Sequence, residues 1–204
     1  MTGGFDSGTW DNAYRHNQAP WDIGRPQPAI AHVANHGGFV EPVLDSGCGS
    51  GEHTLLAASM GLVAKGVDIA PAAIERARAK ARQRGLLAEF IVGDVLALDE
   101  IPRLDPPFRT VIDMGCFHTF SNADRVLYAR SLAAVTEPGA LLHLLCFSED
   151  TPGTDGPRRV TQGELVATFS RDWDIESIEP DAIAVSNLWN GPEPSAWLAR
   201  MVRR

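Results

Sequence analysis

The 204-residue chain has 44% hydrophobic and 22% charged side chains, ordinary for a globular protein large enough to bury a substantial core. Its 18 basic against 26 acidic residues leave a formal charge of −8, which argues against a long polyanion such as DNA or RNA as partner. Three cysteines without tight spacing, Cys48, Cys116 and Cys146, point to free thiols in a reducing, cytoplasmic setting, and no apolar run is long enough to span a membrane.

Along the chain, an arm at 1–27 carrying Trp10, Tyr14 and Trp21 precedes a regular alternation of units. Val43-Leu44-Asp45 reads as a strand that runs into Gly47, Gly49 and Gly51 and then a helix from Glu52 to Gly61. Glycine is needed where the backbone takes a positive φ or passes close to a ligand. In a doubly wound sheet, the turn after the first strand sits where the ligand crevice opens. The next strand, 63–68, ends in Asp68, an acid placed to accept from a ribose diol. Pro71 to Arg84 reads as a helix with proline at its start and Gly85 as its stop. Its basic run Arg76, Arg78, Lys80, Arg82 and Arg84 lies opposite Ile74, Ala77 and Ala81 and is expected to be a solvated face. Strands are expected at 88–94, ending in Asp94, and at 110–114, where Asp113 stands near the end. A helix over 123–135 leads to the apolar strand 139–147, whose composition suits burial on both faces of a parallel sheet. A further helix at 161–170 precedes strands at 173–185 and 196–202, the last a plausible sheet edge. This order predicts a single domain over 1–204 with an α/β, three-layer, doubly wound sandwich and a mostly parallel seven-stranded sheet. The loop 148–160, rich in Gly, Pro and Asp, is long enough to be an active-site loop.

The glycine turn selects among nucleoside-type ligands. A dinucleotide turn wants Gly-x-Gly-x-x-Gly, but Gly51 comes one position early and Glu52 stands where the third glycine belongs. An acid there is expected to repel a pyrophosphate. Glycines 47, 49 and 51 after Val-Leu-Asp instead resemble the first motif of class I S-adenosylmethionine-dependent methyltransferases. That resemblance implies contacts to the cofactor from Asp45, Gly47, Cys48, Gly49 and Gly51. It also implies that Asp68 holds the ribose hydroxyls, Ile69 lies on the adenine, Asp94 and Val95 meet the adenine edge, and Asp113 marks where donor meets acceptor. Trp10, Tyr14 and the run Ala19-Pro20-Trp21-Asp22-Ile23-Gly24-Arg25-Pro26-Gln27-Pro28 resemble the N-terminal lid of small-molecule enzymes of the thiopurine S-methyltransferase-like type, as does Cys116-Phe117-His118-Thr119-Phe120. The resemblance makes 1–27 a lid whose aromatics hold a sulfonium by cation–π contact, with S-adenosyl-L-homocysteine as product. The residues alone leave other roles open: strand-end acids as helix caps, Asp45 bonded to its own turn, and the aromatics as pins for the arm.

His118, just past Asp113, is the candidate base or acceptor-orienting group, and with Asp113 forms the expected catalytic pair. Arg158 and Arg159 read as a solvated pair, or as a dock for an anionic substituent. Cys116 has no partner base implied by spacing, and His143 and Cys146 fall on opposite faces of a strand, so neither a cysteine nucleophile nor a metal is expected. Asp105-Pro106-Pro107-Phe108 spells a motif of nucleic-acid and glutamine methylation but precedes the fourth strand rather than following it. The expected substrate is a small aromatic or heteroaromatic molecule accepting a methyl on O, S or ring N, with Phe117, Phe120, Trp189 and Trp197 as possible walls. A thiol or metalloid acceptor, a non-catalytic S-adenosylmethionine-binding protein and a nicotinamide oxidoreductase are the rivals.

Overall fold

Alternation of side chains along the strands decides the layers. Neighbouring residues of β1 (Val43–Ser46) are all buried, yet Leu44 joins one hydrophobic cluster and Val43 another. The same split recurs at Val111 and Ile112 of β4 (Phe108–Met114) and at Leu144 and Leu145 of β5 (Thr136–Phe147). A strand with apolar groups on both faces needs helices on both sides, and the chain supplies them. A computed structural model describes residues 7–154 and 156–204; the first six residues of the expected arm and Asp155 of the expected loop lie outside the described residues. With β2 (Ala64–Asp68), β3 (Glu89–Val92), β6 (Trp173–Ala182) and β7 (Ser195–Arg203), the strands form one sheet in the order β3-β2-β1-β4-β5-β7-β6. Strands β1 to β5 pair in parallel, and β7 runs antiparallel to both β5 and β6. The last strand is therefore interior, and β6 takes the edge that the chain order had suggested for β7.

The helices are α1 (Ser7–Arg15), α2 (Pro28–Asn35), α3 (Glu52–Ser59), α4 (Pro71–Arg84), α5 (Asn122–Ala134) and α6 (Gln162–Phe169). Ile30 of α2 and Ala57 of α3 pack with Val43, whereas Tyr128 and Leu132 of α5 and Phe169 of α6 pack with Leu44, so the sheet lies between the two sets. Helix α4 has the predicted bounds because its signals are strong: Pro71 opens it, and Gly85 closes it in the left-handed region at φ 64°. Its N-terminus has no cap of its own. Asp11 of α1 supplies one from the arm, accepting from the Ala72 N–H at 2.7 Å. The basic run is less solvated than expected, since Arg76 bonds the Tyr14 carbonyl and Asn17, Arg78 the Phe90 carbonyl, and Lys80 and Arg84 bond Glu52. Hydrogen-bond acceptors brought in by the arm and β3, and the Glu52 carboxylate of α3, convert that face into a docking surface within the fold.

Strand order reverses between β1 and β4, which leaves a crevice at their C-terminal ends. The segments that follow these two strands, 47–51 and 115–121, therefore open into one place.

Candidate functional site

The glycine turn is shaped by what approaches it. The N–H groups of Gly47 and Cys48 both donate to the Val67 carbonyl, folding the turn back onto β2. Gly47 has φ 74°, and a Cβ there would lie 2.7 Å from the Cys116 sulfur. Gly49 has φ 52° and abuts the Tyr14 hydroxyl with no space for a methyl group. Gly51, at φ 85°, would drive a Cβ to 2.6 Å from Phe90 and 2.8 Å from Ala77. The first two glycines thus bring the post-β4 segment and the arm onto the turn, and the third packs α3 against α4.

A cavity of about 340 Å³ opens at the crevice. Its inner half is lined by Gly47, Cys48, Gly49, Asp68, Ile69, Asp94 and Val95, with Trp10, Tyr14 and Trp21 of the arm across from them. Asp68 accepts from Gly49 N–H and Ala70 N–H, each at 2.8 Å, through different oxygens. Burial pushes its carboxyl up from the usual carboxylate range, against the pull of those N–H groups. A carboxylate has about four acceptor sites, so Asp68 retains capacity to accept from a pair of adjacent hydroxyls. Asp94 caps the following turn by accepting from Leu96 N–H at 2.9 Å, and Ile69 offers an apolar side chain.

Asp45, Gly51 and Asp113 do not reach this cavity; they hold its wall from behind. Asp45 accepts from both the N–H and the hydroxyl of Thr54 at 2.9 and 2.7 Å, and burial raises its carboxyl to about 7. Asp113 accepts from Tyr128 Oη at 2.7 Å and from the N–H groups of Cys116 and Phe117, with burial raising it to about 6. Both carboxylates splice a strand end to the segment after it.

The arm aromatics form a connected wall. Trp21 Nε1 donates to Tyr14 Oη at 2.9 Å, and the Trp10 and Trp21 rings meet edge-on with centroids 5.3 Å apart. Burial pushes the Tyr14 phenol well up, so it is a neutral group. Beyond Trp21 the arm crosses the mouth: Asp22 accepts from Ser50 Oγ at 2.9 Å, and Gln27 exchanges two hydrogen bonds with the backbone of Ala184. Glu52 also lines the cavity, but Lys80 and a forked Arg84 pair with it and hold its carboxyl below the ordinary value. Its charge is thereby compensated, so the expected repulsion of a pyrophosphate loses its electrostatic basis; the position of Gly51 remains as the departure from a dinucleotide turn.

The outer half gathers His118, Phe120, Phe147, Ile183, Val185 and Trp189, with Arg25 at its rim. Of the expected aromatic walls, Phe120 and Trp189 line it, while Phe117 and Trp197 belong to the core. Phe147, Ile183 and Val185 were not singled out from the sequence, although Phe147 ends a parallel strand at the crevice side, which is itself a signal. His118 is buried, and its Nδ1 accepts from Phe147 N–H at 2.9 Å. The neutral ring therefore carries its proton on Nε2, which lies against Gly115. Burial, reinforced by Arg125 and Arg159, lowers its imidazolium to about 3. Arg158 bonds Asn122 and Glu164, and Arg159 bonds the carbonyls of Thr151, Pro152 and Pro157, so both guanidiniums fasten the loop 148–160. The thiols of Cys48 and Cys116 are pushed well up by burial, and all three cysteines are free. Among the described residues no three His, Cys, Asp or Glu side chains gather as a metal site, and no helix is long and apolar enough to cross a membrane.

Comparison with known proteins finds the family model described as a methyltransferase domain over residues 43–139. The chain is 36% identical over 163 residues to the 2-heptyl-1-hydroxyquinolin-4(1H)-one methyltransferase of Mycobacteroides abscessus, covering 79% of this chain and 71% of the relative. It is 28% identical over 161 residues to probable thiol methyltransferase 2 of Arabidopsis thaliana, covering 78% and 70%. A structure solved for the conversion of a disulfide bond into a thioacetal group during echinomycin biosynthesis superposes with a TM-score of 0.87 at 34% identity, over 97% of this chain and 93% of that one.

Proposed function

The chain belongs to the S-adenosylmethionine-dependent methyltransferases of class I fold, and from that premise we propose that it methylates an acidic hydroxyl on a small, flat heteroaromatic molecule. When bound, S-adenosylmethionine supplies an electrophilic methyl group on a positively charged sulfur. The residues present fit that group. Asp68 faces the inner half with acceptor capacity for a diol, Ile69 offers an apolar contact for a flat base, and the backbone of Gly47 and Gly49 lines the same cavity. Trp10, Tyr14 and Trp21 surround the inner half with neutral aromatic faces, which favour a cation without a fixed anion that would stabilise the ground state. Asp45, Gly51 and Asp113 act one layer back, by fixing the turn and the post-β4 segment.

The observation that carries the acceptor class is the state of His118. Its one lone pair is committed to the Phe147 N–H, so this ring is a positioning residue and takes no proton from the substrate. An acceptor served by such a site brings its own acidity and arrives ionised, its proton given up to water. An N-hydroxy heterocycle meets that condition, and so does an aryl thiol. Apolar walls at Phe120, Phe147 and Trp189 exclude water and orient a planar ring, and orientation supplies much of the rate of a displacement. The M. abscessus relative supports the hydroxyl, and the Arabidopsis relative supports sulfur as the second reading. The net charge of −8 supports a small molecule over a nucleic acid, and the free thiols support a cytoplasmic setting. In this reading 1–27 and 148–160 serve a single domain as lid and active-site loop.

Incubation with S-adenosylmethionine and a matched panel of 1-hydroxyquinolin-4(1H)-one, thiophenol and unsubstituted phenol, followed by mass spectrometry, tests the reading. Methylation of the first two is expected; turnover of phenol alone would refute it. Titration calorimetry with S-adenosylhomocysteine and NADH in parallel should show heat for the former only.

A further inference from the structure

Phe147 carries two aromatic contacts. The His118 ring meets it edge-on at 4.7 Å, and the indole of Trp189 meets it edge-on at 6.0 Å and 77°. His118 belongs to the post-β4 segment at the crevice, and Trp189 continues the series from it through Phe147. Trp189 belongs to the connection 183–194 between β6 and β7, and its position is tightly determined. Its Nε1 donates to the Pro192 carbonyl at 2.8 Å, and a Cβ on Gly191 would lie 3.0 Å from that nitrogen. From the opposite loop comes Gly156, at φ 79°, where a Cβ would lie 3.1 and 3.2 Å from the outer benzo carbons of the indole and 3.5 Å from Phe147. Glycine at 156 thus allows the two loops to close on one another with the indole between them. Arg159 lies over the Phe147 ring at 5.7 Å and bonds the carbonyls on either side of this loop.

We infer that Trp189 is the specificity-determining wall of the outer half. It sets how far a flat acceptor extends beyond the methyl-accepting atom, and Gly156 holds it in place. The inference rests on the acceptor class proposed above. Substituents on the acceptor ring meet this indole, whereas the ring's reacting edge lies toward His118. Truncating Trp189 lengthens the chamber and shifts preference toward acceptors with an alkyl tail, leaving the cofactor half untouched.

The test compares kcat/KM for 1-hydroxyquinolin-4(1H)-one and its 6-heptyl derivative, whose tail leaves the ring edge remote from the N-hydroxyl, together with S-adenosylhomocysteine affinity, in the wild type, Trp189→Ala and Trp189→Phe. The expected result is a change of about tenfold or more in the ratio of the two probes for Trp189→Ala, on the scale that a few methylenes in an apolar pocket are worth, with the affinity for S-adenosylhomocysteine held within about twofold. Gly156→Ala provides a second reading that keeps the indole. Its methyl presses on outer-ring atoms that phenylalanine lacks, so the probe ratio should move in the Trp189 background and stay in the Trp189→Phe background, while the backbone strain at 156 is common to both and cancels. If Trp189→Ala fails to fold, that cycle decides the matter. Turnover of both probes with an unmoved ratio in every variant overturns the role of Trp189 alone. Wild-type turnover of neither probe overturns the acceptor class and this inference with it.

Discussion

Four acids stand at the ends of the first four strands, and their neighbours divide them by role. Asp68 and Asp94 face the cavity, whereas Asp45 and Asp113 spend their oxygens on Thr54, Tyr128 and backbone N–H groups. Asp68→Ala removes the proposed diol acceptor together with the bonds that hold Gly49 and Ala70. We expect affinity for S-adenosylhomocysteine to fall about 100-fold, as for loss of hydrogen bonds to a charged group; calorimetry within about threefold of wild type would refute the assignment. His118→Asn keeps an acceptor for the Phe147 N–H in the place of Nδ1. Its kcat should fall by less than about tenfold with the pH profile in place, whereas loss of a true base costs about 100-fold or more. Strand-end acids were legible in the sequence because their spacing follows the strand pattern. Which of them touch a ligand was not, because Thr54 and Tyr128 are supplied by α3 and α5 and no local pattern announces them.

Helix α4 and the glycine turn were readable to the residue, since proline and glycine act on the backbone directly. Helices α1 and α2 were not. The first is polar, with only Tyr14 fully buried, and it gains its stability by docking on α4 through Asp11 and Arg76 rather than from its own periodicity. Element packing also reassigns Gly51, which serves the α3–α4 contact. Gly51→Ala combines a positive φ with overlap onto Phe90 and Ala77, and should destabilise by about 3 kcal/mol. That is a fall in Tm of roughly 10 °C for a chain of this size; an unchanged melting curve would contradict the packing described. The sheet order at β7 had no signal of its own, because an apolar alternating strand fits an edge of a two-faced sheet and an interior position equally well.

Over the whole molecule, buried carboxyls and buried imidazoles respond to pH with opposite sign. His118 and His53 are lowered by burial to about 3 and about 4, below their ordinary 6.5. The unfolded chain binds their protons first, so the stability they contribute is complete above pH 6.5 and is lost as pH falls toward those values. Asp45 and Asp113 are raised by burial from 3.8 to about 7 and about 6. The native state binds their protons more tightly, so their contribution is complete below pH 3.8 and lost as pH rises through the same window. The two sets oppose each other across this window. Asp45→Asn removes one opposing member. Its unfolding free energy, from urea titrations at pH 4.5, 5.5 and 6.5, should rise with pH more steeply than that of the wild type; parallel curves would refute the linkage. The antiparallel insertion of β7 also has a consequence for synthesis. Strand β5 carries Phe147 and runs through the centre of the core, but its second edge is covered only by residues 195–203. A nascent chain that has emerged through β6 therefore presents a long, apolar, half-paired strand, the kind of edge that recruits other chains. Completion of the outer chamber, in which Phe147 meets Trp189, therefore waits on the long-range pairing of 195–203 with β5 and is among the last steps of folding.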